Sequence, residues 1–282
     1  MKHAVWTSEA IDALWDYDDP EQSETRFREA IALGAGDEAR TQVARALGLR
    51  RKFDWANAEL DQIDLNRASD LLRARVALER GRVLNSSGQP ELARPFFEEA
   101  LKLAEAAGES FYAVDAAHML GIVCPGDEGL EWNLRAIQMV EDASDKRAKR
   151  WLGSLLNNTA WSLHAQGRLD EALALFEKAL AFRSLQGDAK TIQIARWCVA
   201  RCVRSLGRIE ESLAMQRDLL RLDPRGGYVH EEMGECLYAL GKTKEAAVHF
   251  RKAHEILSLD PWLTANEPAR LTRLKELGGE DS

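Results

Sequence analysis

Proline is scarce in this chain, with seven residues in 282, and no apolar run reaches membrane-helix length, roughly 18 residues. Few prolines leave long helices uninterrupted, and the missing apolar run excludes a helical membrane span. Cysteine is equally sparse. Cys124, Cys198, Cys202 and Cys236 fall inside helical patterns, not in a dense short framework, so free thiols are expected and a disulfide scaffold is not. There is no basic excess either. A net charge of -8 argues against nucleic acid as the main ligand. Charge appears within the first few residues, Met1-Lys2-His3-Ala4, too early for a secretory apolar core, so a cytoplasmic protein without membrane attachment is expected.

What the chain does contain is alanine, leucine, arginine and glutamate, with 45% apolar and 30% charged residues, the composition of an all-α protein. Helix-period runs flank short turns. The plainest lies around Gly167-Arg168-Leu169-Asp170, where Gly167 suits a helix C-terminus and Asp170 suits the cap of the next helix. Equivalent turns fall at Asp18, Phe53, Gly88, Cys124, Gly207 and Gly241, giving spacings of 35, 35, 36, 43, 40 and 34 residues. That period belongs to a repeated helical hairpin.

Aligning the turns produces columns. Seven residues before each stand Ile11, Ala46, Gly81, Ala117, Ala160, Ala200 and Gly234, and five after it Ser23, Ala58, Ala93, Gly129, Ala172, Ser212 and Ala246. All but Ile11 are small, which is what close helix contact requires. Four before the turn, Leu14, Leu49, Leu84, Leu120, Leu163, Val203 and Leu237 form an aliphatic column and predict a buried seam. Nine after it, Phe27, Phe97, Phe176 and Phe250 alternate with Gln62, Asn133 and Gln216.

In these columns the chain resembles the tetratricopeptide repeat family, and the unit with Gly234, Leu237, Ala246, Phe250 and Ala253 fits its pattern best. The resemblance implies a right-handed α-α superhelix, a single solenoid domain over 1–282. Its seven hairpins are expected near 4–33, 37–65, 70–106, 110–142, 147–186, 189–223 and 227–259. Two polar linkers, Glu141 to Arg150 and Ser184 to Lys190, exceed the family norm. An amphipathic helix at 266–277, with Asn266 as N-cap and Gly278 as stop, is expected to cap the array.

No catalytic constellation has diagnostic spacing. Gly241-Lys242-Thr243 ends like a phosphate loop, but Cys236 stands where that loop needs glycine. His230-Glu231-Glu232 lacks a second histidine. A chain that is not an enzyme, with no cofactor and no resident metal, is therefore expected; a metal- or thiol-dependent protein using Cys198, Cys202 and Cys236 is the weakest alternative.

The resemblance implies a concave groove lined by the first helix of each hairpin. Its offsets select Arg75, Arg82, Asn85, His118, Asn157, Trp161, His164, Trp197, Arg201, Arg204, Tyr228 and Tyr238, with Arg40, Arg50 and Arg51 in the second hairpin. Arginine and aromatic residues suit interface anchoring. The implied function is a protein-protein interaction module, an adaptor or scaffold whose groove holds a partner's peptide with acidic side chains or a free C-terminal carboxylate. Glu231 and Glu235 would meet any basic portion. The alternative is a peptide- or ligand-sensing bacterial regulator acting through a bound partner.

Overall fold

A computed structural model describes residues 6–279, so the first two residues of the hairpin expected at 4–33 lie outside it. Every regular element among the described residues is a helix. In chain order they are α1 Ser8–Asp12, α2 Pro20–Ala32, α3 Gly36–Leu49, α4 Phe53–Leu60, α5 Asp70–Ser86, α6 Pro90–Ala106, α7 Ser110–Val123, α8 Gly126–Asp142, α9 Lys146–Lys149, α10 Leu152–Ala165, α11 Leu169–Gln186, α12 Ala189–Ser205, α13 Ile209–Leu222, α14 Gly227–Ala239, α15 Thr243–Leu257, α16 Pro261–Asn266 and α17 Pro268–Leu277. Consecutive helices pair as hairpins. Contacts gather into two compact units, 1–155 and 156–282, with the division falling inside α10.

Four of the seven prolines sit where they cost least, while Pro95 lies inside α6. Pro20, Pro90, Pro261 and Pro268 open helices, where the missing N–H would have no intrahelical partner. Side-chain caps come from Thr7, Asp19, Ser69, Asp145, Asp188 and Asp260. Asp170 is not among them: α11 begins at Leu169, which places Asp170 in its first turn with Arg168 at the cap. The expected capping helix also starts differently. Glu267 is the N-cap residue of α17, while Asn266 ends α16 and returns its amide to the Trp262 carbonyl at 2.8 Å.

The turn register is visible in the backbone. Gly88, Gly167, Gly207 and Gly241 have φ of 84°, 75°, 79° and 74°, and each stands two residues before the second helix of its hairpin. In the second hairpin the same place belongs to Arg51, the one non-glycine among the described residues with positive φ, at 58°. The register read from Phe53 is therefore two residues late. Ala44, Leu47, Ala56 and Leu60 are the true column residues, exposed by 0, 3, 0 and 1%, whereas Leu49 is 53% exposed and does not join the seam. Gln62 likewise leaves the aromatic column, and Leu60 takes that position. The true offsets bring in Arg45 in place of Arg40, Arg50 and Arg51.

Elsewhere the columns pack as their spacing implies, except that Leu14 and Leu84 of the aliphatic column are only half-buried. Phe27, Phe97, Phe176 and Phe250 are fully buried. A Cβ on Gly81 would fall 2.7 Å from Cδ1 of Phe97, and one on Gly234 would fall 2.7 Å from Cδ1 of Phe250, so glycine there makes room for the ring of its own hairpin. Asn133 and Gln216, in the same column, are buried without the ring. Asn133 Oδ1 and both amide atoms of Gln216 have no hydrogen-bond partner. The long linkers are absorbed by α9, which packs on α7 and α8, and by extension of α11 to Gln186. At the C-terminal end, Leu263, Leu271 and Leu274 complete a cluster with Leu257 and Phe250, and α17 lies on α15.

Candidate functional site

In the first unit the expected groove residues are taken up by the chain itself. Arg75 is 1% exposed; it donates to Glu38 at 2.8 Å and Asp12 at 3.5 Å, and its guanidinium lies 4.9 Å from the Tyr112 ring centroid. Arg82 bridges Glu79 and Asp115. Arg45 covers the stacked rings of Trp15 and Tyr17. His118 is buried against Trp151, its ring centroid 5.1 Å away, and burial holds its pKa below the ordinary histidine value. Asn85 is half-buried. This face offers a partner few uncommitted groups.

In the second unit α10, α12 and α14 bring six expected residues onto one surface. Trp161, Trp197 and Tyr228 form a ladder, with centroid separations of 6.1 and 5.9 Å. The Trp197 indole N–H donates to the Tyr228 carbonyl at 3.3 Å, which fixes the ring across two hairpins. His164 stands 5.2 Å from Trp161, and its Nε2 is 2.9 Å from Ser205 Oγ. Burial, then Arg201 and Arg204, hold its pKa low. Asn157 is half-buried, and Tyr238, half-exposed, packs on Phe250.

Two recesses meet at Trp197. One, of about 340 Å³, is lined by Ile194, Trp197, Leu219, Tyr228 and Val229, with Asp223 as its charged member. The other, of about 540 Å³, is lined by charged side chains apart from Trp197. There Arg201 and Arg204 share Glu232 at 2.9 and 2.7 Å. Arg270 of α17 holds Glu231 at 2.6 Å and Glu267 at 2.9 Å, and Arg273 pairs with Glu235. Burial keeps the Glu232 carboxyl above the usual carboxylate range, against the pull of Arg204 and Arg201. The arginines expected to meet a partner are thus already engaged; two guanidinium groups on Glu232 leave a positive excess at that end of the recess, matched at the other by Glu231 and Glu267 on the single Arg270.

The offsets that select Trp197, Arg201 and Arg204 also select Ile194 and Ser205, which composition alone did not mark. Glu232, Asp223 and the α17 arginines carry no sequence signal of the site. Beside this surface, His230 Nδ1 lies 2.9 Å from His249 Nδ1, while His230 Nε2 is 3.2 Å from the Pro224 carbonyl. Since the carbonyl accepts, a neutral His230 accepts from His249 at Nδ1. The three thiols of this unit are buried packing groups. Burial raises all three, Cys198 to about 12, and Cys202 and Cys236 donate to Leu169 O and Ser212 Oγ at 3.5 Å. Among the described residues no three His, Cys, Asp or Glu side chains gather as a metal site, and no helix is long and apolar enough to cross a membrane.

The tetratricopeptide repeat profile matches residues 74–106 and 152–184, that is, α5–α6 and α10–α11. No curated protein matches the chain at a significant level. Solved structures share the fold. A signal-transduction ATPase with numerous domains and a tetratricopeptide repeat sensor, from Pyrococcus horikoshii, is 14% identical with a TM-score of 0.72, the alignment covering 98% of this chain and 45% of that one. The quorum sensor NprR from B. thuringiensis, in its apo form, is 16% identical with a TM-score of 0.67, over 95% of this chain and 80% of that one. NprR in complex with its cognate peptide NprX gives the same identity and coverage with a TM-score of 0.57. A tetratricopeptide repeat protein from Parabacteroides merdae is 14% identical with a TM-score of 0.55, over 96% and 97% of the two chains. With seven hairpins in one register, two of them matched by the family profile, the chain belongs to the tetratricopeptide repeat proteins.

Proposed function

We propose that this protein is an interaction module whose α12–α14 surface binds a peptide segment of a partner protein. The observation that carries the reading is the pair of recesses joined at Trp197, one apolar and one charged. A pocket lined by rigid aromatic and branched side chains, rimmed by groups that can hydrogen-bond, is the usual anatomy of a peptide anchor site. Trp197 and Arg204 are seven positions apart on one helix, ~10 Å along its axis. About three residues of extended chain span that length. An acidic side chain or C-terminal carboxylate placed there meets the positive charge that Arg201 and Arg204 leave over Glu232. That the fold neighbour NprR has been solved with a peptide supports the class of ligand and nothing finer.

The test is capture from the native cell extract by wild type and by a Trp197→Ala/Tyr228→Ala variant, both checked for the same helical circular dichroism and thermal midpoint. Partners held through this surface disappear with the variant. Equal recovery by both proteins refutes the proposal. The same surface serves an adaptor or a peptide-sensing regulator, and X-ray scattering with and without a captured peptide separates them: altered overall dimensions favour the sensor.

A further inference from the structure

The apolar recess between α12 and α14 carries charge information that its lining disguises. Asp223 is the charged residue on its wall, and it is the C-cap residue of α13, so the negative end of a fourteen-residue helix dipole faces the same space. Asp223 accepts the Arg225 amide at one oxygen, Oδ1, at 3.0 Å. Arg221, two residues before it, is committed to Asp218 at 2.9 Å, and neither arginine lines the recess. Trp197 and Tyr228 present electron-rich ring faces, and Tyr228 already accepts a cation: the Arg270 guanidinium lies 5.2 Å from its centroid. Ile194, Leu219 and Val229 supply an aliphatic wall leading to this negative end.

Resting on the peptide-binding reading above, we infer that the recess selects a lysine or arginine side chain of the partner, its methylene stem against Ile194, Leu219 and Val229 and its cationic head between the aromatic rings and Asp223. A long basic side chain is the one natural type that offers both an apolar stem and a cation. An uncharged aliphatic anchor would fill the space but leave Asp223 and the helix end without a counter-charge. Together with the Arg201–Arg204 pair farther along α12, this sets the order of charges on the bound segment: a base in the recess, an acid about three residues away along an extended chain.

A random dodecapeptide phage library selected on the whole chain tests this. Selection is expected to fix lysine or arginine at one position. Replacing that residue with norleucine in a synthetic copy of the selected peptide should weaken binding by about tenfold or more to wild type, but less than about threefold to Asp223→Asn, as read by calorimetric titration. Asp223 is exposed, and asparagine keeps the acceptor for the Arg225 amide, so the variant is expected to fold normally. Selected peptides with uncharged anchors, or a norleucine copy that binds as tightly, overturn the basic anchor while the groove stands, provided Trp197→Ala abolishes their binding. If no selected peptide depends on Trp197, both readings fall.

Discussion

Replacing Gln216 with methionine should stabilise the second unit. Gln216 is fully buried in the column that phenylalanine fills in the neighbouring hairpins, and neither its oxygen nor its nitrogen has a hydrogen-bond partner. A buried amide in that condition has lost its water without replacement, a cost of about 1–3 kcal/mol for the unmade bonds. Methionine has nearly the same length and volume and a flexible thioether, so it removes the polar atoms without opening a cavity or forcing a clash. The expected gain is about 1–3 kcal/mol, or roughly 3–12 °C in the thermal midpoint for a unit of this size. Thermal melts followed by circular dichroism, with a urea titration to check that the slope is unchanged, provide the measurement. A midpoint equal to or below that of wild type would show that the amide is satisfied in solution, and the account of this column would fail.

Three further outcomes follow from the same geometry. Leu47→Ala should cost about 2–4 kcal/mol and Leu49→Ala well under half of that, because only the first is buried; equal losses in denaturant titrations would restore the register centred on Phe53. Gly81→Ala should destabilise by about 1–3 kcal/mol through the clash with Phe97, and adding Phe97→Leu should recover part of the loss; a neutral Gly81→Ala melt would contradict the ring contact. His230 and His249 both have lowered pKa values, through burial first and then, for His230, Lys252, and for His249, His230 and Arg217. The unfolded chain therefore takes up protons before the folded one, so stability is full above about pH 6.5 and declines as pH falls below it. His249→Gln should make the decline in melting temperature between about pH 7.5 and 5.5 shallower, and an unchanged slope would exclude the pair as its source.

Much of the fold was legible because it is written in residues with one steric use. Glycine at positive φ marks four turns, and after three of them a phenylalanine nine residues on identifies the facing contact. Arg51 hid the second turn, since nothing in an arginine announces a left-handed backbone, and the neighbouring Leu47 and Leu49 let a two-residue slip keep an aliphatic in the column. The site was half legible. Trp161, Trp197 and Tyr228 follow from helix offsets, whereas the commitment of Arg204 to Glu232 or of Arg270 to Glu231 spans 28 or 39 residues and depends on how hairpins stack. Local periodicity contains no record of such pairs, so arginines that look available in the sequence prove to be occupied.

The alternation of ring and amide down the core gives the second unit an uneven cohesion. The hairpin of α12 and α13 holds Gln216, while those before and after it hold Phe176 and Phe250, so the hairpin that carries Ile194, Trp197, Arg201 and Arg204 has an unpartnered amide where its neighbours have a ring. In a chain of nearest-neighbour units such a segment opens first and slows in amide exchange most when something is bound across it. A peptide bound across this hairpin, as proposed, would therefore be felt as local tightening before any larger movement.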